Sequence, residues 1–222
     1  MILDKRADLG HGDVKKLLFS LSVPTITSQI VNMLYNLVDR VFIGHMQPAE
    51  TVGKLALTGV GVCLPIIMVI SAFASLMAIG GAPRASIAEG AGESEKSERI
   101  MGNCLTMLVI TALVLTVLFE SFAEPLLLMF GASENTIGYA LDYMRIYALG
   151  TIFVQLTLGM NAYITAQGFA TVSMKTVLIG ALLNTALDPL FIFVLGLGVR
   201  GAALATVISQ AVSAVWVMTF LT

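Results

Sequence analysis

Segment 176–197 most constrains what this chain can fold into, because it is uncharged and mostly apolar except for one carboxylate near its centre. Asp188 is the only formal charge in the run. A stretch of about 20 apolar residues is the length of a membrane-spanning helix. A carboxylate near the centre of such a helix costs about 2.5–3.5 kcal/mol on insertion scales. The segment therefore predicts a transmembrane helix that carries a functional acid.

The residues around Asp188 suggest how this cost is offset. Asn184 and Asp188 are four positions apart, so on a helix their side chains lie on one face about one turn apart. Pro189 has no amide hydrogen, so the carbonyl of Thr185 loses its usual helical donor and becomes a free acceptor. Oxygen-rich, locally broken helix at membrane depth is a known way to build a cation site. The pattern predicts a bound ion or proton here.

The composition extends the membrane interpretation to the whole chain. Hydrophobic residues make up 57% of the sequence and charged residues 12%, whereas soluble domains carry about 25% charged residues. The net charge is −2 and no basic patch is interleaved with aromatics, which excludes nucleic-acid binding. Within the apolar spans there is no Ser/His/Asp, Cys/His or metal-ligand constellation, which argues against an enzyme. Cys63 and Cys104 are interpreted as small apolar residues.

Six apolar spans predict an all-α polytopic membrane protein preceded by a polar leader at 1–16. Residues 83–98 carry four glutamates and predict a solvated connector. The predicted spans cover 17–45, 55–82, 100–122, 136–166, 171–197 and 201–221.

The distribution of basic residues predicts the orientation, because cytosolic loops are enriched in Lys and Arg. If the N-terminus is inside, eight basic residues fall on the cytosolic side and four on the other, which favours both termini in the cytosol. The eight are Lys5, Arg6, Lys15, Lys16, Arg84, Lys96, Arg99 and Lys175.

Three further polar residues lie within the predicted spans. Asp39 is either an interfacial residue paired with Arg40 or a neighbour, or an ionisable group that shares a cavity with Asp188. Two nearby carboxylates in a low dielectric favour binding of a proton or cation, which is the chemistry of an ion-coupled transporter. Asn161 and Thr206 could belong to the same polar site. The alternative for Asn161 is a hydrogen bond between helices, and the alternative for Thr206 is a hydrogen bond to the backbone of its own helix.

Several stretches together resemble the MATE (multidrug and toxic compound extrusion) transporters, most closely their bacterial MepA-like branch. The similarity runs over essentially the whole chain, and the combination of motifs is specific although no single motif is. The stretches are 24–45 with its Tyr-Asn-Leu-Val-Asp-Arg-Val-Phe-Ile-Gly-His ending, 80–84, 161–168, 183–189 and 201–206.

The resemblance implies an antiporter of the bacterial cytoplasmic membrane with twelve helices in two six-helix lobes. It would export cationic amphipathic drugs in exchange for H⁺ or Na⁺, with no other cofactor. When the family's site residues are matched to this sequence by motif, the resemblance implies a coupling site at Asp39, Asn184, Asp188 and Thr206, with Tyr35 and Asn161 beside it.

The chain is about half as long as that family's members, so we expect it to hold the N-terminal lobe without the C-terminal one. We expect either a fragment of a longer protein or a half that a second copy or a partner subunit completes. Two other functions stay open. A lipid-linked-sugar flippase of the wider superfamily would favour a cationic groove. A non-transporting membrane module that assembles with a partner would not need Asp188 at mid-membrane.

Overall fold

A computed structural model describes residues 13–222, and within that range the chain forms helices and connecting turns without a strand. Residues 1–12, including Lys5 and Arg6 of the predicted leader, lie outside the described part. The helices are α1 (Val14–Gly44), α2 (Lys54–Val62), α3 (Leu64–Gly90), α4 (Ser94–Met129), α5 (Ile137–Leu149), α6 (Thr151–Ala166), α7 (Ala170–Pro189) and α8 (Val199–Leu221). Two five-residue π-helical turns cover Ala49–Gly53 and Leu190–Val194.

The length and apolar composition of the helices confirm the predicted all-α membrane architecture. Five helical segments in the described range can each cross a membrane, and α2 and α3 form one of them together. Helices α5 and α6 meet at an angle of 57°, and they add a sixth span if this bent pair is counted as one broken span. Gly150 lies at this bend, where a Cβ would collide with the side chain of Val207 on α8. The bend therefore lets α8 approach the α5–α6 junction closely.

The prediction that residues 83–98 form a connecting loop is wrong. Helix α3 continues to Gly90 with Pro83 inside it, and α4 begins at Ser94, so the link between them is only three residues long. Pro83 removes one helical hydrogen bond, but Ala82, Ala85 and Ala88 are buried on one face of α3. This packing keeps the segment helical despite its polar composition.

Helix packing places α8 against α5, α6 and α7, while α3 packs between α4 and α6. Small residues allow these close approaches, as expected in a membrane. At Gly159 on α6, for example, a Cβ would collide with Leu108 of α4. The apolar core consists of two clusters, one around Ile66, Ile70, Phe119 and Met144, the other around Ala74, Leu108, Met160 and Tyr163.

Helix α1 stands at the edge of the bundle and packs mainly on α7. Its buried residues are Pro24, Asp39 and Ile43. Large apolar side chains cover the rest of its surface, and Met33, for example, is 73% exposed. An apolar outer surface of this kind suits contact with lipid or with another membrane-embedded lobe.

Candidate functional site

The centre of the candidate site is the C-terminal end of α7, where Asn184 and Asp188 are both buried among the helices. The Nδ2 group of Asn184 donates a hydrogen bond to Oδ1 of Asp188 at 3.2 Å. Pro189 ends the regular α-helix directly after Asp188, and a π-helical turn follows it. The missing proline donor explains why the hydrogen-bonding pattern changes at this point. The acid therefore lies at a break in the helix.

Helix α1 brings a second carboxyl group to the first. Asp39 is 8% exposed, and its carboxyl group lies within hydrogen-bonding reach of Asp188. Arg40, the next residue in the chain, also acts electrostatically on Asp39. Two residues far apart in sequence thus form a buried carboxyl pair between α1 and α7.

Helix α8 supplies the third side of the site through Thr206. Its Oγ1 atom lies 3.4 Å from Nδ2 of Asn184. Tyr143 on α5 interacts electrostatically with both Thr206 and Asp39. Tyr143 stacks on Tyr147 with a centroid separation of 5.9 Å.

Tyr143 is not among the site residues predicted from the sequence. Its signal was available, because Tyr143 and Tyr147 are four positions apart and so share a helix face. Only their burial in the bundle distinguishes this pair from an ordinary aromatic stripe.

Three oxygen atoms of this cluster are buried and have no hydrogen-bond donor among the described residues. They belong to two carboxylates and one amide, all of which are acceptors. Buried acceptors are almost always satisfied in folded proteins, because leaving one unpaired costs about 1–3 kcal/mol. A proton between the carboxyl groups or a small cation among the oxygens would satisfy them. The atoms are Asp39 Oδ1, Asn184 Oδ1 and Asp188 Oδ2.

The two supporting residues occupy different positions. The hydroxyl group of Tyr35 lies near Gln210 of α8 and acts electrostatically with both carboxylates. Asn161 instead donates to Ser173 of α7, with Nδ2 lying 2.9 Å from its Oγ and 3.3 Å from its carbonyl oxygen. Asn161 therefore makes an interhelical hydrogen bond to α7 and, among the described residues, none to the carboxyl pair.

A polar cleft of about 240 Å³ connects these positions between α1, α6, α7 and α8. Tyr35, Asn161, Asn184 and Thr206 all line it, and Asn184 connects it to Asp188 through its hydrogen bond. Among the described residues its lining has no Lys, Arg or His. Its other polar lining residues are Thr25, Ser28, Gln29, Asn32, Thr157, Thr165, Ser173, Thr176, Ser209, Gln210 and Ser213.

Comparisons with known proteins agree on one family. The family profile described as MatE matches residues 24–190. The Multidrug export protein MepA of Staphylococcus haemolyticus is 30% identical over 203 residues, which covers 91% of this chain and 44% of that protein. The MepA of Staphylococcus aureus strain NCTC 8325 is 26% identical over 203 residues, which again covers 91% of this chain and 44% of that protein.

Solved structures give the same result. One describes the outward-facing conformation of a multidrug resistance MATE family transporter, with a TM-score of 0.86, 28% identity, and coverage of 95% of this chain and 45% of that one. Another, described as "protein A", has a TM-score of 0.89 and 36% identity, covering 97% of this chain and 47% of that one. The chain thus spans about half the length of the relatives it matches.

Proposed function

Since this chain is a multi-pass membrane protein that belongs to the MATE transporter family and not to a family of enzymes, we propose that it forms the ion-coupling lobe of a drug exporter. In this proposal Asp39 and Asp188 bind H⁺ or Na⁺, and the energy of that ion moving inward drives export. Asn184 and Thr206 orient and complete the site. Both termini face the cytosol, as the basic residues predict.

The observation that carries the proposal is the group of three buried oxygen atoms without a donor, shared by Asp39, Asn184 and Asp188. Two carboxylates side by side repel each other, and either a shared proton, which lets one donate a hydrogen bond to the other, or a coordinated cation removes that repulsion. Other buried polar atoms of the described residues also lack a partner, Oε1 of Gln155 for example, but in this cluster two carboxylates share that lack. The cluster is therefore arranged to accept a positive charge from outside.

Ion binding can bias helix position because the pair joins two helices. Asp39 belongs to α1, which has few other packing partners, and Asp188 belongs to the well-packed α7. A proton or cation between them would hold α1 on α7, and its release would restore the repulsion. The ion thus favours one of two helix arrangements by its different affinity for each, as coupling requires.

The polar cleft supports a cationic rather than an anionic substrate. Its described lining carries neutral polar groups and no basic residue, and Asn184 in that lining donates a hydrogen bond to Asp188 of the acidic pair. A flippase for an anionic lipid-linked sugar would favour Lys or Arg in this position. We propose that amphipathic cations compete with the coupling ion for this region.

We further propose that a second six-helix lobe, or a second copy of this chain, completes the substrate cavity. The apolar outer surface of α1 supports such an interface, because Leu37 and Val41 are both about half-exposed on it, at 58% and 48%. The length of the matched relatives supports it as well, since this chain spans 44% of MepA.

A titration of thermal stability tests the coupling site directly. We expect either Na⁺ at constant pH or H⁺ at constant salt to raise the melting temperature of the purified chain saturably. The stabilisation should reach about 2.7 kcal/mol at an ion concentration 100 times Kd. Asp188→Asn should abolish it, whereas Glu124→Gln, at an exposed carboxylate on α4, should respond like the wild type. An equal response of Asp188→Asn and wild type would contradict the proposal.

A further inference from the structure

A second cleft, larger than the polar cleft, lies away from the coupling site, between α3 and α4. Its volume is about 880 Å³, within the range of 300–1,000 Å³ typical of small-molecule sites. It lies where the two helices are joined by the short link 91–93. It shares no lining residue with the polar cleft described above.

The inner part of this cleft is apolar and is kept open by glycine. Leu76, Met77 and Ile100 line it. A Cβ atom at Gly80 would meet no other atom within 4 Å, so this side of α3 borders open space. Along the same helix, Ile79 and Ile87 are 76% and 73% exposed. The cleft therefore opens onto a surface that suits hydrocarbon chains.

The mouth of the cleft is cationic. Arg84 and Lys96 line it from α3 and α4, together with Glu93. Lys96 Nζ pairs with Glu93 Oε2 at 2.7 Å, while no carboxylate among the described residues pairs with Arg84. One positive charge is thus left without a partner at the edge of an apolar hollow. Asn103, also in the lining, adds a neutral hydrogen-bonding group.

We propose that this cleft binds an anionic phospholipid, with an acyl chain in the apolar part and the phosphate group at Arg84 and Lys96. A cationic rim joined to an apolar groove matches the two halves of such a lipid. Basic pockets between transmembrane helices on the cytosolic side are where anionic headgroups bind. The basic-residue count predicts that this end of α3 and α4 faces the cytosol.

Lipid retention by the purified protein tests the headgroup contact. After reconstitution with equal amounts of phosphatidylglycerol and phosphatidylcholine, native mass spectrometry would count the lipids that stay bound. We expect wild type to retain phosphatidylglycerol preferentially, and Arg84→Gln to reduce that preference about fivefold. Arg99→Gln is the matched control, because Arg99 lies on the same end of α4 but pairs with Glu95 at 2.6 Å and does not line the cleft.

A second pair of variants tests whether the acyl chain occupies the hollow. Gly80→Leu should fill it and lower phosphatidylglycerol retention. Gly102→Leu should leave retention unchanged, because a side chain at Gly102 also meets open space but outside the cleft. Both variants keep Arg84, so a difference between them reports the hollow and not the charge.

Cys104 provides an independent readout in the folded chain. It lines the cleft, whereas Cys63, the only other cysteine, is fully buried. We expect phosphatidylglycerol to slow modification of Cys104 by the uncharged reagent N-ethylmaleimide in wild type and Arg99→Gln, but not in Arg84→Gln. Equal retention of both lipids by wild type, or equal phosphatidylglycerol retention by Arg84→Gln and Arg99→Gln, would overturn the proposal.

Discussion

The carboxyl groups of Asp39 on α1 and Asp188 on α7 lie within hydrogen-bonding reach of each other. This contact joins a helix with few packing partners to one at the centre of the polar cleft. Because both groups are buried, at 8% and 0% exposure, their mutual repulsion is poorly screened. The pair therefore makes the position of α1 sensitive to whether a positive charge is bound.

The carboxyl pair should act as a unit. We expect Asp39→Asn and Asp188→Asn each to remove the ion-dependent rise in melting temperature, and the double variant to lose no more than either single one. The reason is that the effects of substituting two residues that bind one ion together do not add. Thermal unfolding with and without the ion measures all four proteins.

The control for these variants is Glu124→Gln alone, which should keep the full ion-dependent rise, since Glu124 is exposed on α4. Full additivity of the Asp39 and Asp188 variants, each removing half of the response, would contradict a shared site.

Tyr143 should tune ion affinity through Thr206. Tyr143→Phe removes the hydroxyl that interacts with Thr206 and Asp39, and loss of a polar interaction of this kind costs about 0.5–1.5 kcal/mol. We therefore expect ion affinity to fall by up to about tenfold, with the helical content unchanged by circular dichroism. Tyr147→Phe keeps the ring stack and should bind the ion like the wild type. An equal loss in both variants would assign the effect to packing.

Asn161 should separate substrate binding from ion binding. Its amide bonds Ser173 rather than the carboxyl pair, yet it lines the same cleft. We expect Asn161→Ala to leave the ion-induced stabilisation within about twofold of wild type, since each lost hydrogen bond outside the ion site costs about 1 kcal/mol of folding rather than of binding. Binding of a fluorescent amphipathic cation should weaken in the same variant. Loss of the ion response in this variant would instead show that Asn161 belongs to the coupling site.

Two adjacent glycines on α3 should respond oppositely to alanine. A Cβ at Gly81 would collide with the hydroxyl of Tyr163 and lie 2.6 Å from Sγ of Cys104, whereas one at Gly80 meets open space. Gly81→Ala should therefore destabilise the protein by about 1–3 kcal/mol through overpacking. Gly80→Ala should stabilise it by about 0.5–1 kcal/mol, because alanine is the better helix former.

Chemical or thermal unfolding measures both glycine variants under identical detergent conditions. Equal stability of the two would show that α3 and α6 can separate enough to admit the methyl group.

The membrane class and the presence of a buried acid were determined by the sequence itself. Span length depends only on apolar composition and the rise of a helix. The contact between Asn184 and Asp188 was equally predictable, because a four-residue spacing brings two side chains together on any α-helix. Both follow from geometry within one helix.

The tertiary structure alone decided the contacts between helices. Asp39 could have lain at the interface with Arg40 or shared a cavity with Asp188, and no spacing in the sequence decides between the two. Three features had no unambiguous sequence signal. They are the contribution of Tyr143, the continuation of α3 past Pro83, and the cleft between α3 and α4. The physical reason is that crossing positions depend on which side chains interlock between helices, and no local periodicity encodes that choice.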